Sequence, residues 1–373
     1  MARPIQELLQ ITVDENASDL HLTTYIPPRI RVNGVLRSLA HPPLTPTETK
    51  ELCYSVLTEK QKKQFEEKLE LDFSFGMKDM GRFRANVFMQ KGAVAGAFRR
   101  IPPEIWSFSK LGLPLKLAQL CFLPRGLILM TGPTGCGKST SLACMIDHIN
   151  HNRSVHIVTI EDPIEFFFTP DKSIINQREL FVDTMSFPNA LRSVLREDPD
   201  VVFVGEMRDL ETVEATLRVA ETGHLTFSTL HTNSAAETIT RIIDIFPPHE
   251  QGQVRTQLSM TLEAVMTQTL LPTMDGQGRV LAIEILIPNA AIRSLIRENK
   301  IHQIYAQMQM GQETSGMQTF NQSLADLYFR KKIALETAMS VTHQPEELAD
   351  LIQRKEGYRM SSKGFQSRTI NKQ

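Results

Sequence analysis

The sequence has no apolar run approaching the ~20 residues that cross a bilayer. Its opening segment, MARPIQELLQ, lacks the apolar core of a signal peptide. A formal net charge of -1 over 373 residues gives no global basic field that would attract nucleic acid. We therefore expect a cytoplasmic protein, at most peripheral to a membrane, with no nucleic-acid partner.

Cysteine is also scarce. The four cysteines stand at positions 53, 121, 136 and 144, and none forms a CxxC pair. This spacing indicates neither a four-cysteine zinc site nor a disulfide framework. We expect reduced thiols, with Cys53, Cys121 and Cys144 acting as small buried hydrophobic side chains.

Residues 1–100 have the pattern of a small α+β module. A strand is predicted from Asp19 to Thr23, and Asn33-Gly34 predicts a hairpin within Ile30–Ser38 because both residues tolerate positive φ. Thr45, followed by Pro46 and by Glu48, has the pattern of a capping box that opens a helix. Period-two alternation predicts two more strands, around Leu71–Phe75 and Phe83–Val87.

A proline pair, Pro102-Pro103, interrupts the pattern and predicts a linker over residues 101–112. Residues 113–358 are predicted as a second domain and 359–373 as a polar tail. The first part of this domain alternates predicted strands and helices, which indicates an α/β fold with a parallel sheet. From about Glu250 onward the chain is predicted to be mostly helical.

A phosphate-binding loop follows the apolar segment Gly126–Thr131 and precedes a helical pattern. Its glycines let backbone N–H groups converge on phosphate at a helix N-terminus. Lys138 is predicted to reach the β- and γ-phosphates of ATP, and Ser139 to ligate Mg²⁺. The predicted nucleotide-binding residues are Gly132, Pro133, Thr134, Gly135, Cys136, Gly137, Lys138, Ser139 and Thr140.

Two carboxylates follow predicted strands, Glu161 after Val155–Ile160 and Glu206 after Val201–Val204. A carboxylate at the carboxyl end of a sheet strand faces the nucleotide crevice, where it can hold Mg²⁺ through water or orient the attacking water. Glu206 has the Walker B position and is the predicted second Mg²⁺ residue. Which carboxylate is the general base stays open, and a solvated strand-end charge is the alternative for either.

Two histidines, His224 and His231, bracket the predicted strand Leu225–Leu230. A shared metal is not expected, because the two ends of such a strand are ~20 Å apart. A sensor role at the strand end suits His231. His224 could equally be a hydrogen-bonded core histidine.

Together these segments resemble the secretion ATPases of type II secretion and type IV pilus systems. The resemblance spans about residues 3 to 350. Its segments are Thr159–Glu165 for an acidic Asp box, Val204–Asp209 for Walker B, Gly223–Thr232 for a His box, and Ser18–Leu22, Pro27-Pro28 and Arg31–Gly34 for the N-terminal module.

Within that superfamily the chain is most similar to the retraction ATPases of type IV pili. Ala291–Glu298 resembles their signature, with Ser294 in place of Asn, and Cys136 stands where Ser is common. We expect no long extra N-terminal domain of the kind that assembly ATPases have, and the sequence has no match to their cysteine zinc motif. Ile292, Leu295 and Ile296 are predicted to share one apolar helical face. Arg293, Arg297 and Glu298 are predicted to point away from that face.

The resemblance implies a PAS-like N-terminal domain, a RecA-like P-loop ATPase domain, and a homohexameric ring that uses ATP and Mg²⁺. It implies nucleotide between the two domains, and as partners an inner-membrane platform protein and, indirectly, pilin. Arg84 and Arg99 match the family's arginine segment as candidate arginine fingers, with Arg82 as a third candidate. A solvated basic strand face is the alternative.

Three rival functions stay open. A pilus-assembly or type II secretion ATPase would act in the opposite direction, a DNA translocase would bind DNA, and a scaffold would bind ATP without turnover. The Ala291–Glu298 segment argues against the assembly or secretion ATPase, and the net charge argues against the DNA translocase. The intact acidic residues argue against the scaffold. The sequence also allows a reactive Cys136, because the field at a helix N-terminus lowers a thiol pKa. Packing of the loop around the sulfur, which would shield it, is the equal alternative.

Overall fold

The computed structural model describes residues 3–32, 34–78, 80–101, 104–310 and 316–354. Asn33 of the predicted hairpin, the Pro102-Pro103 pair and the predicted tail 359–373 lie outside these residues. The chain divides into two compact units. Unit 1 is Met1–Ile105 together with Asp162–Phe167, and unit 2 is Trp106–Glu161 together with Phe168–Gln373.

Unit 1 contains a six-stranded antiparallel sheet of order β3-β2-β1-β6-β5-β4. Its strands are β1 (Asp19–Leu22), β2 (Arg29–Val32), β3 (Val35–Ser38), β4 (Glu70–Met77), β5 (Gly81–Gln90) and β6 (Ala93–Ile101). Its helices are α1 (Ile5–Asp14), α2 (Pro46–Tyr54) and α3 (Glu59–Lys68).

One face of this sheet forms the core of unit 1, because alternate side chains of β5 point into it. Phe83, Ala85 and Val87 are fully buried and belong to one apolar cluster with Phe98 of β6 and Leu20 of β1. The intervening residues of β5 lie on the opposite, more polar face. The predicted capping box at Thr45 is present at the start of α2.

Unit 2 contains a seven-stranded sheet of order β13-β12-β7-β11-β10-β8-β9. Its strands are β7 (Gly126–Thr131), β8 (His156–Glu161), β9 (Ile174–Glu179), β10 (Val201–Val204), β11 (Leu225–Leu230), β12 (Leu262–Pro272) and β13 (Arg279–Leu286). Neighbours from β12 to β9 pair in parallel, as predicted, and only β12 and β13 are antiparallel.

Helices and two 3₁₀ segments accompany this sheet. The α-helices are α4 (Phe108–Leu111), α5 (Lys138–Asn152), α6 (Phe187–Val194), α7 (Leu210–Glu221), α8 (Ala235–Asp244), α9 (Gln251–Thr261), α10 (Ala290–Arg297), α11 (Ile304–Met308), α12 (Phe320–Phe329) and α13 (Leu335–Val341). The 3₁₀ segments are Leu115–Phe122 and Ile301–Gln303, and no helix among the described residues is long and apolar enough to span a membrane.

The prediction that the chain is mostly helical from about residue 250 is wrong for β12 and β13. Val265, Met266 and Thr267 are consecutive and all buried, so β12 lacks the polar alternation that marks a half-exposed strand. Tertiary pairing with β7 makes this segment a strand, and a short apolar run alone does not distinguish it from a buried helix. The sheet then gathers the carboxyl ends of β7, β8, β10 and β11 at one edge.

Candidate active site

The phosphate-binding loop joins β7 to α5 and depends on its glycines. Gly132, Gly135 and Gly137 all have positive φ, at 134°, 77° and 88°, a region that side chains other than glycine rarely adopt. A Cβ atom on Gly132 would also lie 2.3 Å from the backbone oxygen of Gln268 and 2.8 Å from Cys136 Sγ. The loop conformation therefore requires glycine at its first position for two separate reasons.

Lys138 begins α5 and is buried at the loop. Its Nζ donates to the backbone oxygens of Gly132, at 2.8 Å, and Pro133, at 3.1 Å. The same Nζ lies 3.4 Å from Nδ1 of His231. The lysine charge is thus held inside the curve of the loop, while Thr134 in the same loop is exposed.

Glu206 lies just after β10, and its carboxylate has two partners. Arg208 Nη2 is 2.8 Å from one oxygen, and His231 Nε2 is 3.3 Å from the other. Burial alone would raise the pKa of Glu206, but the hydrogen bond and charge of Arg208, with those of His231, outweigh it and lower the pKa. Glu206 is therefore an ionised carboxylate near neutral pH.

His231 connects the two charged groups. It follows β11 and contacts Lys138 through Nδ1 and Glu206 through Nε2, so the three side chains form one chain at the carboxyl edge of the sheet. His224 lies before the other end of β11, where its Nδ1 is 3.0 Å from the oxygen of Val219. The structure separates the two histidines and places only His231 beside the P-loop.

Glu161 is the last residue of β8 and is buried. Its carboxylate accepts a hydrogen bond from Thr159 Oγ1 at 2.6 Å and from Gln177 Nε2 at 3.3 Å. The end of β8 adjoins the end of β10, because Gly205 N donates to the oxygen of Ile160 at 2.8 Å. Both candidate carboxylates therefore stand at neighbouring strand ends, and Glu206 is bonded to His231.

The three candidate arginine fingers, Arg82, Arg84 and Arg99, lie on the sheet face of unit 1 opposite its core. Arg84 and Arg99 are direct cross-strand partners, and Arg99 is in turn paired with Asp19 of β1. Arg99 is 70% exposed, and its Nε donates to Asp19 Oδ1 at 2.9 Å. Arg82 donates from Nη2 to Ser74 Oγ at 2.6 Å and lies over the ring of Phe167, 4.0 Å from its centre.

Comparison with known proteins identifies the family. A profile of the family described as Type II/IV secretion system protein matches residues 1–279. The chain belongs to this family. The type IV pilus retraction ATPase PilT of Pseudomonas aeruginosa is 48% identical over 342 residues, which are 92% of this chain and 99% of that protein. A twitching motility protein of Neisseria gonorrhoeae is 47% identical over 349 residues, 94% of this chain and 93% of that protein.

A solved structure agrees with these relatives. The crystal structure of the pilus retraction motor PilT with bound ADP has a TM-score of 0.88 and 56% identity, covering 93% of this chain and 99% of that one. These matches confirm the predicted resemblance to secretion ATPases, and within them to the pilus retraction ATPases. The α/β fold with its P-loop domain agrees with the family.

One residue of this secretion-family P-loop differs from its prediction. Cys136 was expected to have a lowered pKa at the helix N-terminus, and that expectation is wrong. Burial raises the pKa of the Cys136 thiol more than the Lys138 charge and the backbone N–H groups lower it. The residue is only 4% exposed, because its side chain packs back against the loop beside Gly132.

The segment Ala291–Glu298, whose sequence resembles the retraction signature, lies on α10 up to Arg297, and the two faces of this helix differ. Ile292 and Ile296 are fully buried, as the predicted apolar face requires. Arg293 does not project into solvent, since its Nη1 donates to the oxygen of Ser259 at 2.8 Å and its Nη2 to Glu263 at 3.0 Å. Arg297 is exposed, with one longer contact of 3.4 Å to Ser259 Oγ.

Sequence reasoning missed Gln268, which contacts the P-loop from β12. The residue is 1% exposed and hydrogen-bonded to Cys136 and Ser141. A signal for it exists, since Thr267-Gln268 places two polar residues inside an otherwise apolar run. Buried polar side chains need partners, so this pair could have been predicted to contact another polar element.

Proposed function

We propose that this chain is the ATP-hydrolysing motor of type IV pilus retraction, which removes pilin and powers twitching motility. The chain is an ATPase of its family, and its likeness to PilT extends over nearly the whole of both chains. The observation that carries the proposal is the continuous contact of Lys138, His231 and Glu206 beside an intact P-loop.

ATP binds with its phosphates in the loop that begins α5. Backbone N–H groups of the loop and Lys138 offset the phosphate charge, and the helix N-terminus adds a favourable field. Ser139 and Glu206 would hold Mg²⁺, since a hydroxyl and an ionised carboxylate are the hard oxygen donors that this cation takes. When bound, Mg²⁺ would neutralise charge developing on the phosphates.

Hydrolysis needs a group that orients or deprotonates water. Glu206 and Glu161 are the two candidates, and the ionised state of Glu206 suits a base or a magnesium carboxylate equally. His231 contacts both Lys138 and Glu206, so we propose that it senses the γ-phosphate through them. Loss of the γ-phosphate after hydrolysis would change the contact of His231 with Lys138 and its contact with Glu206 at the same time.

The arginines of unit 1 complete the proposed machinery. Arg84 and Arg99 would supply planar guanidinium groups to the γ-phosphate charge, with Arg82 as a third candidate, and such arginine fingers contribute ~10³–10⁵ in rate. We further propose a PAS-like unit 1, a homohexameric ring, and a place at the cytoplasmic face of the inner membrane. There the ring would act on a platform protein and, through it, on pilin.

A pilus-assembly or type II secretion ATPase is the second candidate. The α10 segment, Ala290–Arg297, favours retraction because its sequence resembles the retraction signature. A DNA translocase is disfavoured by the net charge of -1.

Lys138→Ala tests the proposal at its centre. Loss of the only lysine in the P-loop should reduce ATP turnover at least ~10²-fold, because one preorganised charged donor contributes about that much. Purified variant and wild type would be assayed for phosphate release, and both would be expressed in a piliated strain lacking the protein. Wild type should restore pilus retraction, and Lys138→Ala should leave surface pili that do not retract.

Two outcomes would contradict this proposal. Turnover at the wild-type rate in Lys138→Ala would show that the nucleotide site lies elsewhere. Wild-type ATPase activity without restored retraction, but with altered pilus assembly, would favour the second candidate.

A further inference from the structure

Gln268 lies on β12, the strand that borders the P-loop strand β7. Thr267 and Thr131 are partners in the parallel register of these strands, and their hydroxyl oxygens are 2.8 Å apart. Because Thr131 is the last residue of β7, the next residue of β12 stands where the P-loop starts. Gln268 is that residue, and it is 1% exposed.

The side chain of Gln268 uses both ends of its amide on the loop and its helix. Nε2 donates to the backbone oxygen of Cys136 at 2.7 Å, and Oε1 accepts from Ser141 Oγ at 2.9 Å. The assignment of the amide follows from chemistry, since the Cys136 carbonyl can only accept a hydrogen bond. One side chain thus links the loop to the first turn of α5.

The backbone of Gln268 contacts the loop as well. A Cβ atom on Gly132 would meet the Gln268 backbone oxygen at 2.3 Å, and a Cβ on Gly137 would meet its Nε2 at 3.3 Å. Gln268 therefore touches the loop near its first and its last glycine. The residues between these contacts carry the N–H groups that would face phosphate.

We propose that Gln268 is a positioning residue of the nucleotide site: it holds the P-loop in the conformation that binds phosphate, without touching the nucleotide. The inference rests on the proposed nucleotide role of the P-loop and adds a residue from a strand outside the family motifs quoted above. The buried amide is suited to this task, because it donates to the loop and accepts from the helix with no charge to desolvate.

The test measures ADP affinity by calorimetry and the melting temperature without nucleotide, on the full chain. Gln268→Met keeps the volume and removes both hydrogen bonds, and it should weaken ADP binding ~10-fold or more, the change that about 1.4 kcal/mol produces. Gln268→Glu keeps the shape but places a carboxylate against the Cys136 carbonyl, so it should lower ADP affinity more than Gln268→Met does. Ser141→Ala leaves the hydrogen bond from Gln268 Nε2 in place, so it should lower ADP affinity less than Gln268→Met does.

Val213→Ala is the matched control for lost stability. Val213 is fully buried in the core of unit 2 and belongs to α7, outside the P-loop. This variant should lower the melting temperature without nucleotide and keep ADP affinity within about twofold, since a core truncation acts on folding rather than on the loop.

The outcomes separate the inference from the proposed function. Wild-type ADP affinity in Gln268→Met, with a lowered melting temperature, would show that Gln268 only stabilises the fold. An equal loss of ADP affinity in Val213→Ala and Gln268→Met would have the same meaning. Failure of the wild-type chain to bind ADP would overturn the proposed function itself.

Discussion

The P-loop of unit 2 and the arginine face of unit 1 hold their functional groups in opposite ways. Lys138 is 8% exposed and Gln268 1%, and each is bonded to the loop backbone. Arg99 is 70% exposed and is held at Nε by one carboxylate, that of Asp19. The side chains at the loop are held by backbone hydrogen bonds, whereas the Arg99 side chain is largely solvent-exposed.

This difference decides what each group can contribute. A buried, hydrogen-bonded loop loses little conformational entropy on binding, so most of the free energy of its contacts with the ligand contributes to affinity. A long exposed side chain gives up more, and its bond is best made where charge develops during the reaction. Changes in the loop should therefore reduce both binding and turnover, and changes in the arginines should reduce turnover more than binding.

The largest effects after loss of the P-loop lysine are expected at the two carboxylates and, in unit 1, at Arg99. Glu206→Gln should retain ATP binding and lose hydrolysis ~10²–10³-fold, since it removes an ionised group bonded to His231. Glu161→Gln, with the same change of charge at the neighbouring strand end, is the matched comparison. Single-turnover hydrolysis with prebound ATP would identify the base as the variant with the slower chemical step. If Glu206→Gln hydrolysed ATP at the wild-type rate, Glu206 could not be the Walker B carboxylate.

The second effect concerns Arg99. Arg99→Ala should lower kcat by ~10³ or more, in the range of arginine fingers, with less than about threefold change in ATP affinity. Asp19→Asn sharpens this prediction. Burial raises the pKa of Asp19, but hydrogen bonds from Ser18 and Arg99 and the Arg99 charge outweigh it, so the carboxylate stays ionised. Asp19→Asn removes this charge, so it should hold Arg99 less firmly and lower kcat by less than Arg99→Ala does.

Steady-state kcat and equilibrium ATP binding would be measured on the same preparations. Equal losses of affinity and kcat in Arg99→Ala would indicate uniform binding or misfolding rather than a finger. Lys62→Ala, which removes an exposed ion pair with Glu59 in the same unit, is a suitable control and should change neither quantity.

Most of the P-loop geometry was predictable because it is local. Glycines with positive φ, a preceding apolar strand and a following helix are all encoded within a few residues of Lys138. The strand ends bearing Glu161 and Glu206 were predictable from the same βαβ alternation. Cap motifs such as that of Thr45 are local in the same way.

Features that depend on distant partners could not be predicted. β12 is a strand because β7 and β13 pair with it, and its own residues show no period of two. The environment of Cys136 is set by packing rather than by the helix field. Arg293 was predicted only to point away from the apolar face of α10, and the end of α9 and the start of β12 supply its three acceptors.

The third effect distinguishes force generation from hydrolysis. Arg297 is exposed on α10, so Arg297→Gln should leave ATPase activity within about twofold, as for other surface changes. We expect the same variant to stop pilus retraction, leaving surface pili without twitching. ATPase assays on purified protein and pilus dynamics in cells would be measured side by side.

Arg293→Gln is the control for packing on the same helix. It removes bonds to Ser259 and Glu263, so it should lower the free energy of unfolding by roughly 1–3 kcal/mol. If Arg297→Gln retracts pili normally, the α10 segment no longer supports retraction over assembly. Loss of ATPase activity in Arg297→Gln would indicate that its role is in packing.

The smallest effect is expected at Cys136, despite its position inside the P-loop. Its thiol is 4% exposed and burial raises its pKa, so the reactive thiolate is rare near pH 7.5. Iodoacetamide should therefore modify Cys136 slowly, and Cys136→Ser should change turnover less than about threefold, because the substitution keeps a small group beside Gly132. Mass spectrometry of each cysteine peptide over time, with residual ATPase activity, would measure both effects. Cys121, whose pKa burial raises to about 12, is the internal reference for an unreactive thiol. Fast modification of Cys136 that ADP prevents, with loss of ATPase activity, would show that the loop opens and that the Gln268 contacts do not hold it closed.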